Sequence, residues 1–394
     1  MYQKHNDYDF TLETLDSLNN NIDIVKLNSN KKSCFLGFDG YVDSLYSVVQ
    51  SRKSAIEWKR MESMKSFGEL LVKVAGSSAS VERILKKRIF GGFAPNTARV
   101  LSNLGVKIYL IASLGVPQYS KHFQTQPLIE PYSITNPGQT LGLEFDDGKV
   151  MITDFEPILK INWQTIINKI PKENLIEMIN RSDVMGFGHW SMIPNLNDIW
   201  IHFLNELFPS ISNLKEKLFF VDIADIRKRS KQDIKDLIII LQKINEQIPV
   251  MLSVNDQEAI ELAKTFEKVK NIDPNKKNFA DFIEGGRNIN KITHLSYLVI
   301  HSPHFATIST LDNHYWITEG FTSKPKFTVA AGDYFHSGTV LGLVCGLTPP
   351  ESILLGNALT AIFVRTGYPP NFRDLNEILQ RYLKFIENDI PNFP

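Results

Sequence analysis

Short apolar runs bounded by charged or turn-forming residues recur along the chain, and stretches with helical spacing separate them. Cys34-Phe35-Leu36-Gly37-Phe38, between Lys31-Lys32 and Asp39-Gly40, has the character of a first strand buried on both faces of a sheet. Ahead of it, Phe10, Leu12, Leu15 and Leu18 space out one short amphipathic helix that stops at the Asn19-Asn20-Asn21 run, so residues 1–32 are expected to form a polar leader. Residues 54–90 carry a helical pattern through Ile56, Met61, Met64, Phe67, Leu70, Leu71 and Val74, broken at Gly76-Ser77-Ser78. A helix over 94–104 and a strand over 106–114 come next. The runs 140–145 and 149–152 flank Asp146-Asp147-Gly148 and predict a β-hairpin, because an Asp-Gly turn closes two alternating strands.

Beyond residue 180, strands at 184–187, 218–223, 249–254 and 297–300 are expected among helices at 197–207, 231–246, 256–268, 334–346, 351–366 and 374–387. Such a series predicts a mostly parallel sheet with helices on both faces, a three-layer α/β/α arrangement whose ligands sit beyond the carboxyl ends of the strands. The hairpin stands outside the alternation and is the candidate lid. The main domain then spans 33–394, with lid or insert elements around 41–90 and 134–155.

Composition fits this picture without adding to it. The 394 residues are 43% hydrophobic and 22% charged, close to the globular average, and suffice for one large α/β domain with an appendage. Lys plus Arg and Asp plus Glu both number 43, which leaves no general electrostatic footprint for nucleic acid or an anionic membrane. No apolar run approaches the ~20 residues of a membrane span, and the polar start has no signal-peptide pattern, so a cytoplasmic protein is expected. Cys34 and Cys345 sit in apolar surroundings and read as buried thiols.

The segment richest in chemistry is Thr328-Val329-Ala330-Ala331-Gly332-Asp333-Tyr334-Phe335-His336-Ser337-Gly338, which runs into an apolar helix. Small side chains at Ala330, Ala331 and Gly332 let a ligand approach the backbone, and the free N–H groups of a helix start form an anion hole for a phosphoryl group in transit. Asp333 at that spot can accept the proton of an attacking hydroxyl. Taken alone, it is more often simply the N-cap of a helix.

This segment resembles the C-terminal signature of the ribokinase-like (PfkB) carbohydrate kinases, with Ala330 in place of that signature's first glycine. Gly91-Gly92-Phe93-Ala94-Pro95-Asn96-Thr97-Ala98, with Leu101 and Leu104-Gly105 downstream, is similar to the family's N-terminal signature, Phe93 standing where polar residues are common. Asp43, and less closely Asp39, matches the early Asp that grips substrate hydroxyls in the family. Asn255-Asp256-Gln257-Glu258 matches the family's Asn-x-x-Glu, which organises magnesium and phosphate. The matches cover roughly 33–45 and 90–390, and their order carries the resemblance.

The resemblance implies transfer of a nucleotide's terminal phosphoryl group to a hydroxyl of a sugar, sugar acid, polyol or nucleoside, with Mg²⁺ as cofactor. ATP is the default donor; the insertion at 54–90 and the first motif are also similar to the ADP-dependent sugar kinases of the same superfamily. It implies Asp333 as base, Ala330, Ala331 and Gly332 as anion hole, and Asp43, Gly91, Gly92, Asn96 and Asp39 on the substrate. Asn255 and Glu258 fall to metal and phosphate, and family lids often pair into homodimers. Phe93, Ala330 and His301 depart from the pattern and motivate a rival, a sugar or nucleotide sensor without turnover; retention of Asp333, Asn255 and Glu258 argues against it. Further candidates are Asp222, Asp225 and Arg227, equally readable as a solvated loop, and His189-Trp190, read slightly in favour of a packed aromatic turn. Neither a P-loop nor a Gly-x-Gly-x-x-Gly after a strand is present.

Overall fold

The computed structural model describes residues 8–266 and 279–393. The first seven residues of the expected leader, the last two of the helix expected over 256–268, and Pro394 lie outside the described residues. In chain order the strands are β1 (Ser33–Phe38), β2 (Tyr41–Arg52), β3 (Trp58–Arg60), β4 (Arg83–Gly91), β5 (Lys107–Ala112), β6 (Ile129–Ser133), β7 (Gly138–Phe145), β8 (Gly148–Asp154), β9 (Val184–Gly188), β10 (Leu218–Asp222), β11 (Val250–Asn255), β12 (Tyr297–His301), β13 (Phe305–Ser309) and β14 (His314–Thr318). The main sheet has the order β14-β13-β12-β11-β10-β9-β1-β5-β6. From β12 to β6 every pairing is parallel, and β13 and β14 add an antiparallel edge. The expected three-layer ribokinase-like fold is the one observed.

Its strands are apolar throughout because successive side chains enter opposite layers. Phe35, Phe219 and Val221 join the core on one face, while Cys34, Leu36, Leu218 and Phe220 join the core on the other. Cys34 and Cys345 are both buried free thiols. Among the described residues no helix is long and apolar enough to cross a membrane.

Several expectations need correction. The leading helix is not short: it runs over Asp9–Ser29, straight through the asparagine run. Ile22 and Val25 continue the buried stripe of Leu15 and Leu18, and Ser17 and Asn21 donate to Glu351 Oε1 at 2.7 and 2.8 Å. The stretch 54–90 is helical only over Met64–Lys73; Arg83–Gly91 is β4, paired antiparallel to β2. Most β4 side chains are exposed, so no buried face marks it in the sequence, and β2 supplies its hydrogen-bond ladder. The candidate lid is consequently not a lone hairpin. The hairpin β7–β8 exists, but β7 pairs parallel to β2, and β2, β3, β4, β7 and β8 form one five-stranded sheet. A small core of Val48, Met61, Leu143 and Phe145, with Phe67 packed on it, fixes the Met64–Lys73 helix to that sheet. Helices Lys172–Arg181 and Phe279–Thr293 and the edge strands β13 and β14 were not expected, and the last predicted helix breaks at Arg381 into Phe372–Gln380 and Tyr382–Glu387.

Two local features set up the site. Gly92 has φ 112°, a conformation open to glycine, and starts the helix Phe93–Asn103. The helix Ala331–Cys345 begins after Ala330 at φ 78° and packs closely on Pro349–Thr366, where a Cβ on Gly338 would lie 2.7 Å from Gly356 Cα.

Candidate active site

Asp333 is buried in the first turn of Ala331–Cys345, and its Oδ2 accepts from Asn96 Nδ2 at 2.6 Å. The two signatures, 237 residues apart, therefore meet side chain to side chain. The amides of Gly332 and Asp333 belong to a helix's first turn and have no intrahelical acceptor, as an anion hole requires.

Two cavities flank this point. One, about 630 Å³, lies beyond the carboxyl ends of β10, β11 and β12 and is lined by Asn255, Glu258, His301, Ala331 and Gly332. The other, about 160 Å³, lies under the five-stranded candidate lid sheet and is lined by Asp43, Gly91, Asn96, Arg99 and Ala330. Thr328 lines both, so the segment 328–332 is their common wall. Gly91 leaves room for Asp43: a Cβ there would stand 2.9 Å from Asp43 Oδ2. Burial raises the Asp43 carboxyl, against a hydrogen bond from Thr140.

Two expected contacts reach neither cavity. Asp39 is fully buried, and its oxygens accept the N–H groups of Phe93 at 3.0 Å and Ala94 at 2.9 Å, capping the helix that carries Asn96. Gly92 supplies the turn above it, where a Cβ would crowd the Asp39 carboxyl at 3.2 Å. Phe93 points away from ligand space and packs between Phe220 and His336, with ring centroids 5.3 and 5.1 Å away.

His189 stands beside Asp333, while Trp190 is packed as expected, buried with Nε1 donating to Asn197 at 2.8 Å. His189 Nδ1 lies 3.2 Å from Asp39 and its Nε2 4.0 Å from Asp333. Burial opposes its charge, but the hydrogen bond and charge of Asp39, with Asp222 and Asp333 behind, outweigh this and raise it to about 10. Asp333 is pushed up to about 8, chiefly by burial, with His189 pulling it back and Asp222 adding to the rise. His336, one turn along, is driven by burial to about 3 and is neutral, 3.7 Å from Asp333 and 3.4 Å from Asp222. Its spacing from Asp333 on one helix face was legible in the sequence.

In the larger cavity, Asn255 caps the helix Asp256–Thr265 and Glu258 closes the capping box, accepting from Asn255 N at 2.9 Å and Nδ2 at 2.8 Å. Burial, then the charge of Asp222, lifts Glu258 to about 8. Asp225 and Arg227 line this cavity as an ion pair at 2.6 Å. His301 packs tilted against Phe335, ring centroids 4.8 Å apart, and burial lowers its pKa.

Comparison with known proteins bears on the fold and the family. The family model of prokaryotic ketohexokinase matches residues 13–382. A ketohexokinase of Haloferax volcanii is 28% identical over 361 residues, 89% of this chain and 92% of that one. Among solved structures, a carbohydrate kinase from Agrobacterium tumefaciens shares 17% identity at a TM-score of 0.59, over 89% of this chain and 97% of that chain. Arabidopsis thaliana ribokinase, complexed with ribose and ATP, shares 13% at 0.59, over 91% and 99%. These distant structures share the fold. The family match extends over nearly the whole chain, which belongs to the prokaryotic ketohexokinase family and is a carbohydrate kinase of PfkB type.

Proposed function

We propose that the enzyme transfers the terminal phosphoryl group of ATP to a hydroxyl of a ketohexose, with Asp333 as general base. The observation that carries this reading is the common wall 328–332 between the two cavities, with Asp333 and Asn96 beside it. The larger cavity takes the nucleotide, its phosphates toward Ala331 and Gly332. The smaller takes the sugar, whose hydroxyls meet Asp43 and Asn96 while the lid sheet excludes water. The attacking hydroxyl gives its proton to Asp333, and the first-turn amides receive the charge that develops on the transferred group. The ketohexose is taken from the Haloferax relative, and ATP from the default donor of the resemblance.

The donor set near the phosphates fits Mg²⁺, since Asn255 and Glu258 offer oxygen and a buried carboxyl raised to about 8 is one that a cation would return to its ionised form. Asn255 and Glu258 would hold the ion, which would supply charge neutralisation to the phosphates.

Asp333→Asn should lower kcat by roughly 10²–10⁴-fold with nucleotide affinity within a few-fold of the wild type. In a panel of ketohexoses, pentoses, sugar acids and nucleosides, the ketohexoses should give the highest kcat/KM. Undiminished turnover in the variant removes Asp333 as base, and a preference for another class removes the ketohexose.

A further inference from the structure

Arg99 separates the lid-side cavity from a third one of about 240 Å³. It follows Asn96 by three residues on one face of Phe93–Asn103. Its Nη2 donates to the Phe90 carbonyl at 2.8 Å and to Asn96 Oδ1. The N–H groups on Nε and Nη1 meet no acceptor, and Arg99 forms no ion pair, among the described residues. Burial works against its charge, while Tyr334 and the carboxylates of Asp333 and Asp43 favour it from a distance without accepting its hydrogen bonds. Arg365 shows how this chain settles a buried arginine: carbonyls of Ile390, Ala361, Gly320 and Phe321 accept from all three of its nitrogens. Arg99 has no such set.

The third cavity offers what Arg99 lacks a partner for, namely room beside other donors. Arg88, His122, Gln124, Thr125 and Gln126 line it with Arg99, above the rings of Phe90 and Phe123, and none of its lining residues is acidic. Arg88 likewise has no ion pair among the described residues; its Nε meets only the Ser44 hydroxyl, at 3.3 Å. Gln126 uses its carbonyl on Ser102 at 2.5 Å, which leaves its NH₂ group for the cavity. Cationic and amide donors grouped around one surface cleft, with no carboxylate among its lining, suit an oxyanion.

We propose that this cavity binds the phosphate group of a small sugar phosphate, and that Arg99 couples its occupancy to the acceptor cavity. An anion that draws the guanidinium outward loosens its hold on Asn96, whose Nδ2 holds Asp333. Acceptor binding weakens as a result. The coupling, though not the binding, rests on the kinase reading above, and a measurement without turnover separates the two.

Titration calorimetry on the full chain, with a saturating non-hydrolysable ATP analogue filling the anion hole, tests the site. A hexose 1-phosphate should bind at least ~10-fold more tightly than inorganic phosphate, and the double variant Arg88→Gln, His122→Gln should weaken it ~10-fold or more. The double variant's kcat and KM without added anion should match the wild type. In assays, the hexose phosphate should raise the acceptor KM of the wild type and leave the variant's unchanged. Absence of binding, or equal affinity in the double variant, overturns the site, because a product seated in the acceptor cavity would ignore Arg88 and His122. Equal affinity for inorganic phosphate overturns the sugar phosphate, and an unaffected KM overturns the coupling.

Discussion

Asp333 has to be ionised to accept a proton, yet its burial raises the carboxyl to about 8. His189, held charged by Asp39, is the neighbour that opposes this rise, while Asp222 reinforces it. The sign follows directly: a base is lost as pH falls through its pKa, so kcat/KM, which reports the free enzyme, should rise through the neutral range and level off above about 8. His189→Gln removes the opposing cation and should move that limb to higher pH, which a pH profile of both proteins reads. A limb in the ordinary carboxylate range near 4 would contradict the role given to burial. The residue types were legible in the sequence at Asp333, Asn96 and Glu258. Which acid would stand free was not: Asp39 and Asp43 are four positions apart, and only the start of the Phe93–Asn103 helix decides that Asp39 is consumed as a cap.

At the scale of elements, the N-terminal helix shows how a local signal can be outweighed. Three asparagines in a row favour a stop, but Leu15, Leu18, Ile22 and Val25 bury themselves against the helices Ala331–Cys345, Pro349–Thr366 and Phe372–Gln380. The helix therefore braces the element whose first turn carries Asp333. Leu18, fully buried, should cost roughly 2–5 kcal/mol when replaced by Ala. Denaturant unfolding of Leu18→Ala measures this, and a loss below ~0.5 kcal/mol would return the helix to a loosely attached leader. The lid sheet gives the opposite case, a signal missing from the sequence. Arg83–Gly91 has charges along most of its length and exposes them, so neither period of apolar residues marks it as a strand.

For the whole molecule, the main point is that two cavities with different linings share one wall. The parallel sheet delivers Asn255 and His301 to the larger cavity from strand ends, and the lid sheet delivers Asp43 to the smaller one. Ligands in separate cavities bind the native state independently, each stabilising it by about 2.7 kcal/mol at a hundred times its Kd. An ATP analogue and a ketohexose together should thus raise the melting temperature by more than either alone in scanning calorimetry. A combined shift no larger than the greater single one would mean that they compete for one cavity.

The sequence by itself determined the two-faced strands, their alternation with helices, and the signature residues around Asn96 and Asp333, because these depend on nearest neighbours along the chain: apolar run length, small residues before a helix, an Asp-Gly turn. The tertiary structure alone decided the rest. Pairing of β2 with β4 and β7 joins segments that carry no mark of belonging together. The charge states of His189, Asp333 and Glu258 depend on burial and on acids contributed by other strands. Arg99 comes to stand between two cavities only because of what the fold places around it, and that is a property of space, not of sequence order.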